Sequence, residues 1–259
     1  PNNGSNTYVC WQWKANGGSR TTFTESGSNP GGGYQANTTA GFSIVDYVGT
    51  GSTGTVSHGL GVVPSWILFK NRDTAQTWVV YHHKNTSAPE TDILQLESTN
   101  ATYDGNTYFN DTAPTSSVFT VATSNDLNKD GDKIISYAWT EIQGFSKFGS
   151  YTGNGNADGA FVYTGFKPAW IMIKRTDNTG DWNIIDTTRD TINIGTNSYL
   201  YAHTSDAEQT GSAGFDILSN GFKNRNTHSR ANANGGTYVY MAFAEHPFVS
   251  SEGVPTTAR

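Results

Sequence analysis

The sequence predicts an all-β protein made of two tandem, homologous, antiparallel β-sandwich or jelly-roll-like lobes. Three observations carry this: a repeat held at one spacing, short apolar runs of strand period, and a composition poor in helix formers. Of 259 residues only 15% are charged, whereas 13% are aromatic and 29 are Gly. Disordered chains combine few aromatics with high charge, so disorder is excluded. Coiled coils and helical bundles need Ala, Leu, Glu and Lys in bulk, which this chain lacks.

The repeat sets the organisation. Pro64-Ser65-Trp66-Ile67-Leu68-Phe69-Lys70 is echoed by Pro168-Ala169-Trp170-Ile171-Met172-Ile173-Lys174, 104 residues later. At that spacing Gly61 meets Gly165, Asp73 meets Asp177, Trp78 meets Trp182, Asn128 meets Asn232, Gly131 meets Gly235 and Glu141 meets Glu245. The openings Gly41-Phe42-Ser43 and Gly144-Phe145-Ser146 differ by 103, a slip of one. One lobe is therefore expected over 41–143 and a second over 144–259, the latter ending in a C-terminal tail.

Within each unit, runs of period two bounded by Gly, Asn, Pro and Thr predict strands. In the first they fall near 42–48, 54–58, 65–71, 77–82, 92–97, 117–123 and 133–142. In the second they fall near 145–151, 160–164, 169–175, 181–187, 198–203, 214–218 and 236–245. So many short strands in about 100 residues is the arithmetic of a sandwich. In the leader, 1–40, the run Gly4–Trp13 resembles the closing strand of an upstream unit. Residues 14–40, with Gly17-Gly18-Ser19 and Pro30-Gly31-Gly32-Gly33, have the composition of a linker.

Charge and motif content then narrow the chemistry. A net charge of −6 without a basic run argues against phosphate-tracking nucleic-acid binding. No stretch approaches 18 consecutive apolar residues, so no helical membrane span is expected. Cys10, the single cysteine, allows neither an intrachain disulfide nor a thiolate metal site. Asp126-Leu127-Asn128-Lys129-Asp130-Gly131 imitates the start of a calcium loop, but Tyr137 stands where the bidentate Glu belongs. A turn is the preferred reading, and no metal or cofactor is expected. The histidines His58, His82, His83, His203, His228 and His246 form no chelating motif, and no nucleophile elbow or phosphate loop occurs. No catalytic residue is therefore assigned.

Aromatics on a Thr/Asn/Ser background are the remaining feature, and they suit sugar binding. A ring covers the apolar side of a pyranose while amides and carboxylates bond its hydroxyls. Trp66 and Trp170 sit in the most apolar strands and are expected in the core. Trp78 and Trp182 follow the polar loops Asn71-Arg72-Asp73-Thr74 and Arg175-Thr176-Asp177-Asn178. The candidate glycan contacts are accordingly Trp78, Trp182, Asp73, Asp177, Arg72 and Arg175, against the alternative that the tryptophans are structural.

Four long runs carry a family resemblance: Gly144–Gly155, Phe161-Val162-Tyr163-Thr164-Gly165-Phe166-Lys167-Pro168-Ala169-Trp170, Asp216–Lys223 and Tyr238–Phe248. Together they resemble an uncharacterised domain recurring at the C-terminal ends of structural proteins of marine bacteriophages, especially tail fibres. The resemblance implies a lectin-like sandwich at the virion surface or outside the cell, and it carries no catalytic residues. The resulting expectation is a non-enzymatic tail-fibre or receptor-binding protein that adsorbs to host surface glycans. Its partners would be copies of itself, as a homotrimer or other homo-oligomer, and further virion proteins. The rivals are a capsid-decoration or filament subunit and a secreted carbohydrate-binding module.

Overall fold

The computed structural model describes residues 4, 7–189, 193, 198–211 and 214–245. Its strands are β1 (Thr21–Phe23), β2 (Gly32–Asn37), β3 (Phe42–Val48), β4 (Gly54–Ser57), β5 (Trp66–Asn71), β6 (Val79–His82), β7 (Asp92–Gln95), β8 (Tyr103–Asp104), β9 (Val118–Val121) and β10 (Lys133–Trp139) in the first half. The second half contains β11 (Ser146–Thr152), β12 (Phe161–Tyr163), β13 (Pro168–Arg175), β14 (Trp182–Asp186), β15 (Ser198–Tyr201), β16 (Gln209–Thr210), β17 (Phe215–Leu218), β18 (Gly221–Asn224) and β19 (Thr237–Ala244). The α-helices are single turns: α1 (Asn106–Phe109), α2 (Asn125–Asn128) and α3 (Ser229–Asn232).

The first lobe has an eight-stranded antiparallel sheet, ordered β1-β2-β3-β10-β5-β6-β7-β8, beneath the small β4-β9 pair. The second has a six-stranded sheet, β11-β19-β13-β14-β15-β16, beneath the three-stranded β12-β18-β17. The strands are short because Gly, Asn and Pro interrupt them, and the all-β sandwich class follows directly.

Alternation along the strands builds three cores. Val45, Tyr47, Ile67, Phe69 and Ile134 meet Val56 and Phe119 inside the first lobe. Ile171, Ile173, Tyr238 and Tyr240 meet Val162, Ile217 and Phe222 inside the second. The opposite faces of the two large sheets pack on one another, burying Phe42, Trp66, Val80 and Trp139 against Phe148, Trp170, Met172, Trp182 and Phe243. The lobes therefore share a middle core and form four layers. This explains why β19 is an almost unbroken buried run: it is covered on both sides, which removes the usual polar alternation.

The duplication is visible bond by bond. Asn128 and Asn232 are fully buried and receive, on Oδ1, the N–H of Thr50 and Asn154, each at 2.9 Å. Tyr47 and Tyr151 donate their hydroxyls to the carbonyls of Leu127 and Ala231 at 2.6 and 2.7 Å. Strand pairing preserves the 104-residue spacing, with Lys133 opposite Val48 and Thr237 opposite Thr152. The slip at the openings is thus local to the segment before β11. Thr140 N–H bonds Gly41 O, and its counterpart Ala244 N–H bonds Phe145 O.

The leader departs from the sequence expectation. The described part of Gly4–Trp13 contains no strand. Instead Trp13 wedges into the middle core, 5.5 Å from Trp170 and 5.3 Å from Phe243 between ring centroids. Burying large indoles there outweighs extending a sheet. Residues 14–40 are not simply a linker, because they contain β1 and β2. The glycine run serves close approach: a Cβ on Gly32 would collide with Asp46 O and Tyr47 of the neighbouring β3.

Candidate functional site

The six residues singled out by sequence divide into structural and surface roles. Asp73 Oδ2 accepts the N–H of Lys133 at 2.8 Å, and Asp177 Oδ1 accepts that of Thr237 at 3.0 Å. Both aspartates therefore pin the start of a closing strand. Arg175 grips Asp177 in a fork, Nε to Oδ1 and Nη2 to Oδ2, each at 2.9 Å. This hydrogen bonding holds the Asp177 carboxyl below its ordinary range and raises the guanidinium. Arg72 is exposed, and its backbone N–H bonds Lys133 O at 2.8 Å.

The two equivalent tryptophans have different fates. Trp182 is 0% exposed, and its Nε1 donates to Gln95 O of the other lobe at 2.8 Å. It is a core residue with no face left for a sugar, because the middle core closes over it. Trp78 is half-buried, its backbone N–H donates to Glu97 Oε2 at 2.9 Å, and Lys70 Nζ lies 5.4 Å from its ring centre.

Two exposed aromatics lie side by side elsewhere. On β12, Phe161 and Tyr163 are 47% and 64% exposed, while Val162 between them is buried. Two residues apart on a strand, their side chains leave the same face. Phe161 stands opposite Lys223, which is opposite Asp216; Tyr163 stands opposite Gly221. Gly221 leaves room for the Phe161 ring, whose edge would lie 3.0 Å from a Cβ there. Lys223 Nζ contacts Asp158 at 2.6 Å, and Arg225 bridges Asp158 and Asp216 at 3.2 and 3.3 Å. Hydrogen bonding and charge from Lys223 depress the Asp158 pKa. The result is a shallow outer face with two rings beside paired carboxylates and cations. Sequence reasoning missed it, although Phe161-Val162-Tyr163 shows the alternation, because β18 was not recognised as the strand placing charges alongside.

The described residues contain no group of three or more His, Cys, Asp or Glu able to hold a metal ion. In the calcium-like segment, Asp126 lies in α2, capped by Ser124, and Gly131 adopts φ +76° in the turn that follows. His58 and His82 are buried, and His82 Nε2 lies 3.3 Å from Tyr240 O across the lobe boundary. His246 lies outside the described residues.

The fold and this surface define an all-β protein of two fused sandwich lobes, with a polar-aromatic face on its outer sheet. The chain belongs to the family described as a domain of unknown function (DUF7483), whose model matches residues 1–247. No curated protein and no solved structure matches it.

Proposed function

We propose that the protein is a non-enzymatic virion appendage, a tail fibre or receptor-binding tip, that adsorbs to host surface glycans through the outer face of β12-β18-β17. The observation that carries this is the exposed pair Phe161 and Tyr163 beside Asp158, Asp216, Lys223 and Arg225. The rings suit the apolar side of a pyranose, and the charged groups supply donors and acceptors for its hydroxyls. The virion setting rests on the resemblance of the sequence motifs to phage structural proteins.

The test is adsorption of purified protein to host cells and to immobilised glycans. Phe161→Ala and Tyr163→Ala are each expected to weaken adsorption about two- to thirteenfold, the range of one ring contact of ~0.5–1.5 kcal/mol. The double variant should lose it, while Trp78→Ala changes it little. Undiminished adsorption by a folded double variant removes this face as the site.

A further inference from the structure

Among the described residues three arginines are half-buried: Arg175, Arg189 and Arg230. Arg175 pairs with Asp177 and Arg189 with Asp186. Arg230, on the single turn α3, forms no ion pair with any described residue. Its Nη1 donates instead to the phenol oxygens of Tyr199 and Tyr201 on β15, at 2.9 and 2.7 Å. Its guanidinium carbon lies 5.4 Å from the Tyr199 ring centre. The remaining donors, Nε and Nη2, have no acceptor among the described residues. They form the same fork with which Arg20 and Arg175 hold Asp46 and Asp177. Nothing nearby balances the charge. Burial pushes the Tyr201 pKa up, so its oxygen is a neutral phenol and not a phenolate. Asp181, whose charge reaches Tyr201, lies 3.4 Å from His203 Nε2 instead.

The duplication shows what has changed here. The counterpart of Arg230, 104 residues earlier, is Asp126 on α2. Asp126 Oδ1 accepts the Thr77 N–H at 3.1 Å, and its Oδ2 accepts Ser124 Oγ at 3.2 Å. Tyr201 stands opposite Asn183 as Gln95 stands opposite Val79. Gln95 Oε1 accepts Asn100 Nδ2 at 2.8 Å. In the first lobe this corner is thus built of acceptors that the protein itself satisfies. In the second it is built of donors, and no described residue accepts from the fork. A guanidinium fork matches two oxygens of one carboxylate or phosphate, in a pair of parallel charge-assisted hydrogen bonds. The two phenols and the stacked ring hold the side chain in place beforehand, which lowers the ordering cost of binding.

We propose that Arg230, positioned by Tyr199 and Tyr201, is an oxyanion-binding site whose Nε–Nη2 fork takes a carboxylate or phosphate group of a ligand. It uses none of the residues of the β12 face and does not depend on glycan binding there.

The test is a titration of the ¹⁵N-labelled full chain with sodium acetate and with inorganic phosphate at constant ionic strength, followed on the arginine Nε–H resonances. A saturable shift is expected at Arg230, and the anion that saturates it at lower concentration identifies the group that the site reads. Arg72, exposed and without a carboxylate partner, serves as the internal reference for unspecific attraction and should shift only slightly and without saturating. Followed on the backbone amides of Tyr201 and Ala231, Arg230→Lys keeps the charge without the fork and should bind about fivefold more weakly. Arg230→Gln should abolish saturation. Tyr201→Phe removes one of the two oxygens that fix Nη1 and should weaken binding about threefold. No saturation by either anion, an equal response at Arg72, or unchanged affinity in Arg230→Lys each overturns the proposal; the first two are read on the parent chain and do not depend on the folding of any variant.

Discussion

Trp66 and Trp182 meet edge to face across the middle core, with ring centroids 5.9 Å apart and planes at 68°. They are not equivalent positions: the counterpart of Trp66 is Trp170, and that of Trp182 is Trp78. The reciprocal contact between Trp170 and Trp78 is not formed among the described residues. Trp170 packs instead on Trp11, Trp13 and Phe243. The lobes therefore do not face each other through a twofold axis, and identical residues experience different surroundings.

Truncating the two equivalent tryptophans should have unequal consequences. Trp182→Ala opens a cavity in the middle core and removes the indole hydrogen bond to Gln95 O, at a cost of about 3–5 kcal/mol. Trp78→Ala removes a half-buried ring and should cost about 1 kcal/mol. Urea unfolding of both variants checks this, and equal costs would contradict the asymmetric packing.

Asn128 and Asn232 should be indispensable. Asn128 Nδ2 donates to Ser52 O and Ala122 O at 2.7 and 2.6 Å. Asn232 Nδ2 donates to Asn156 O and Asn226 O at 2.8 and 2.7 Å. Replacing either by Ala strands several buried groups, for about 3 kcal/mol in chemical denaturation. Asn→Asp at either site should be at least as costly at neutral pH, since a carboxylate would then face carbonyl oxygens.

Stability should decline in acid because of His82. Burial, reinforced by neighbouring His83, lowers its pKa from 6.5 to about 3. Between those values the unfolded chain binds a proton that the folded chain refuses, so stability falls as pH drops from about 6.5 towards 3. The limiting slope is about 1.4 kcal/mol per pH unit. His58 and His83 are shifted the same way by burial. Denaturation midpoints from pH 7 to 4 should show a shallower decline for His82→Gln.

Lys174 should act in the alkaline range. It is fully buried, with Nζ donating to Thr99 O and Arg175 O at 3.3 and 2.6 Å. Burial lowers its pKa from 10.5 to about 8. Between pH 8 and 10.5 the unfolded chain holds the extra proton, so this residue makes stability rise with pH. The difference in unfolding free energy between the parent and Lys174→Met should therefore change in favour of the parent across that window. A constant difference would show that Lys174 does not titrate as described.

Much of the fold was legible in order along the chain. The strand expected near 42–48 is β3, and those near 169–175 and 181–187 are β13 and β14, because Gly, Asn and Pro bound them and apolar residues fill them. The second-lobe strand β18 was missed because Gly221-Phe222-Lys223-Asn224 is short and lacks alternation. β2 was missed because its glycines resemble a linker, although close contact with β3 is what requires them. Of the candidate residues, Asp73 and Asp177 were found as an equivalent pair, but their backbone partners Lys133 and Thr237 lie 60 residues away in sequence.

The sequence by itself determined the repeat, its 104-residue spacing, the all-β class and the pairing of Asn128 with Asn232 and of Asp73 with Asp177, but not the anchoring role of these four residues. Each of these depends on local pattern or on comparing one half of the chain with the other. Only the tertiary structure decided which aromatics are hidden. Trp78 and Trp182 are the same residue in the same local context, yet one lies partly in water and the other beneath a second sheet. Burial depends on what packs opposite, and the non-reciprocal docking of the lobes is a long-range outcome that no local pattern encodes.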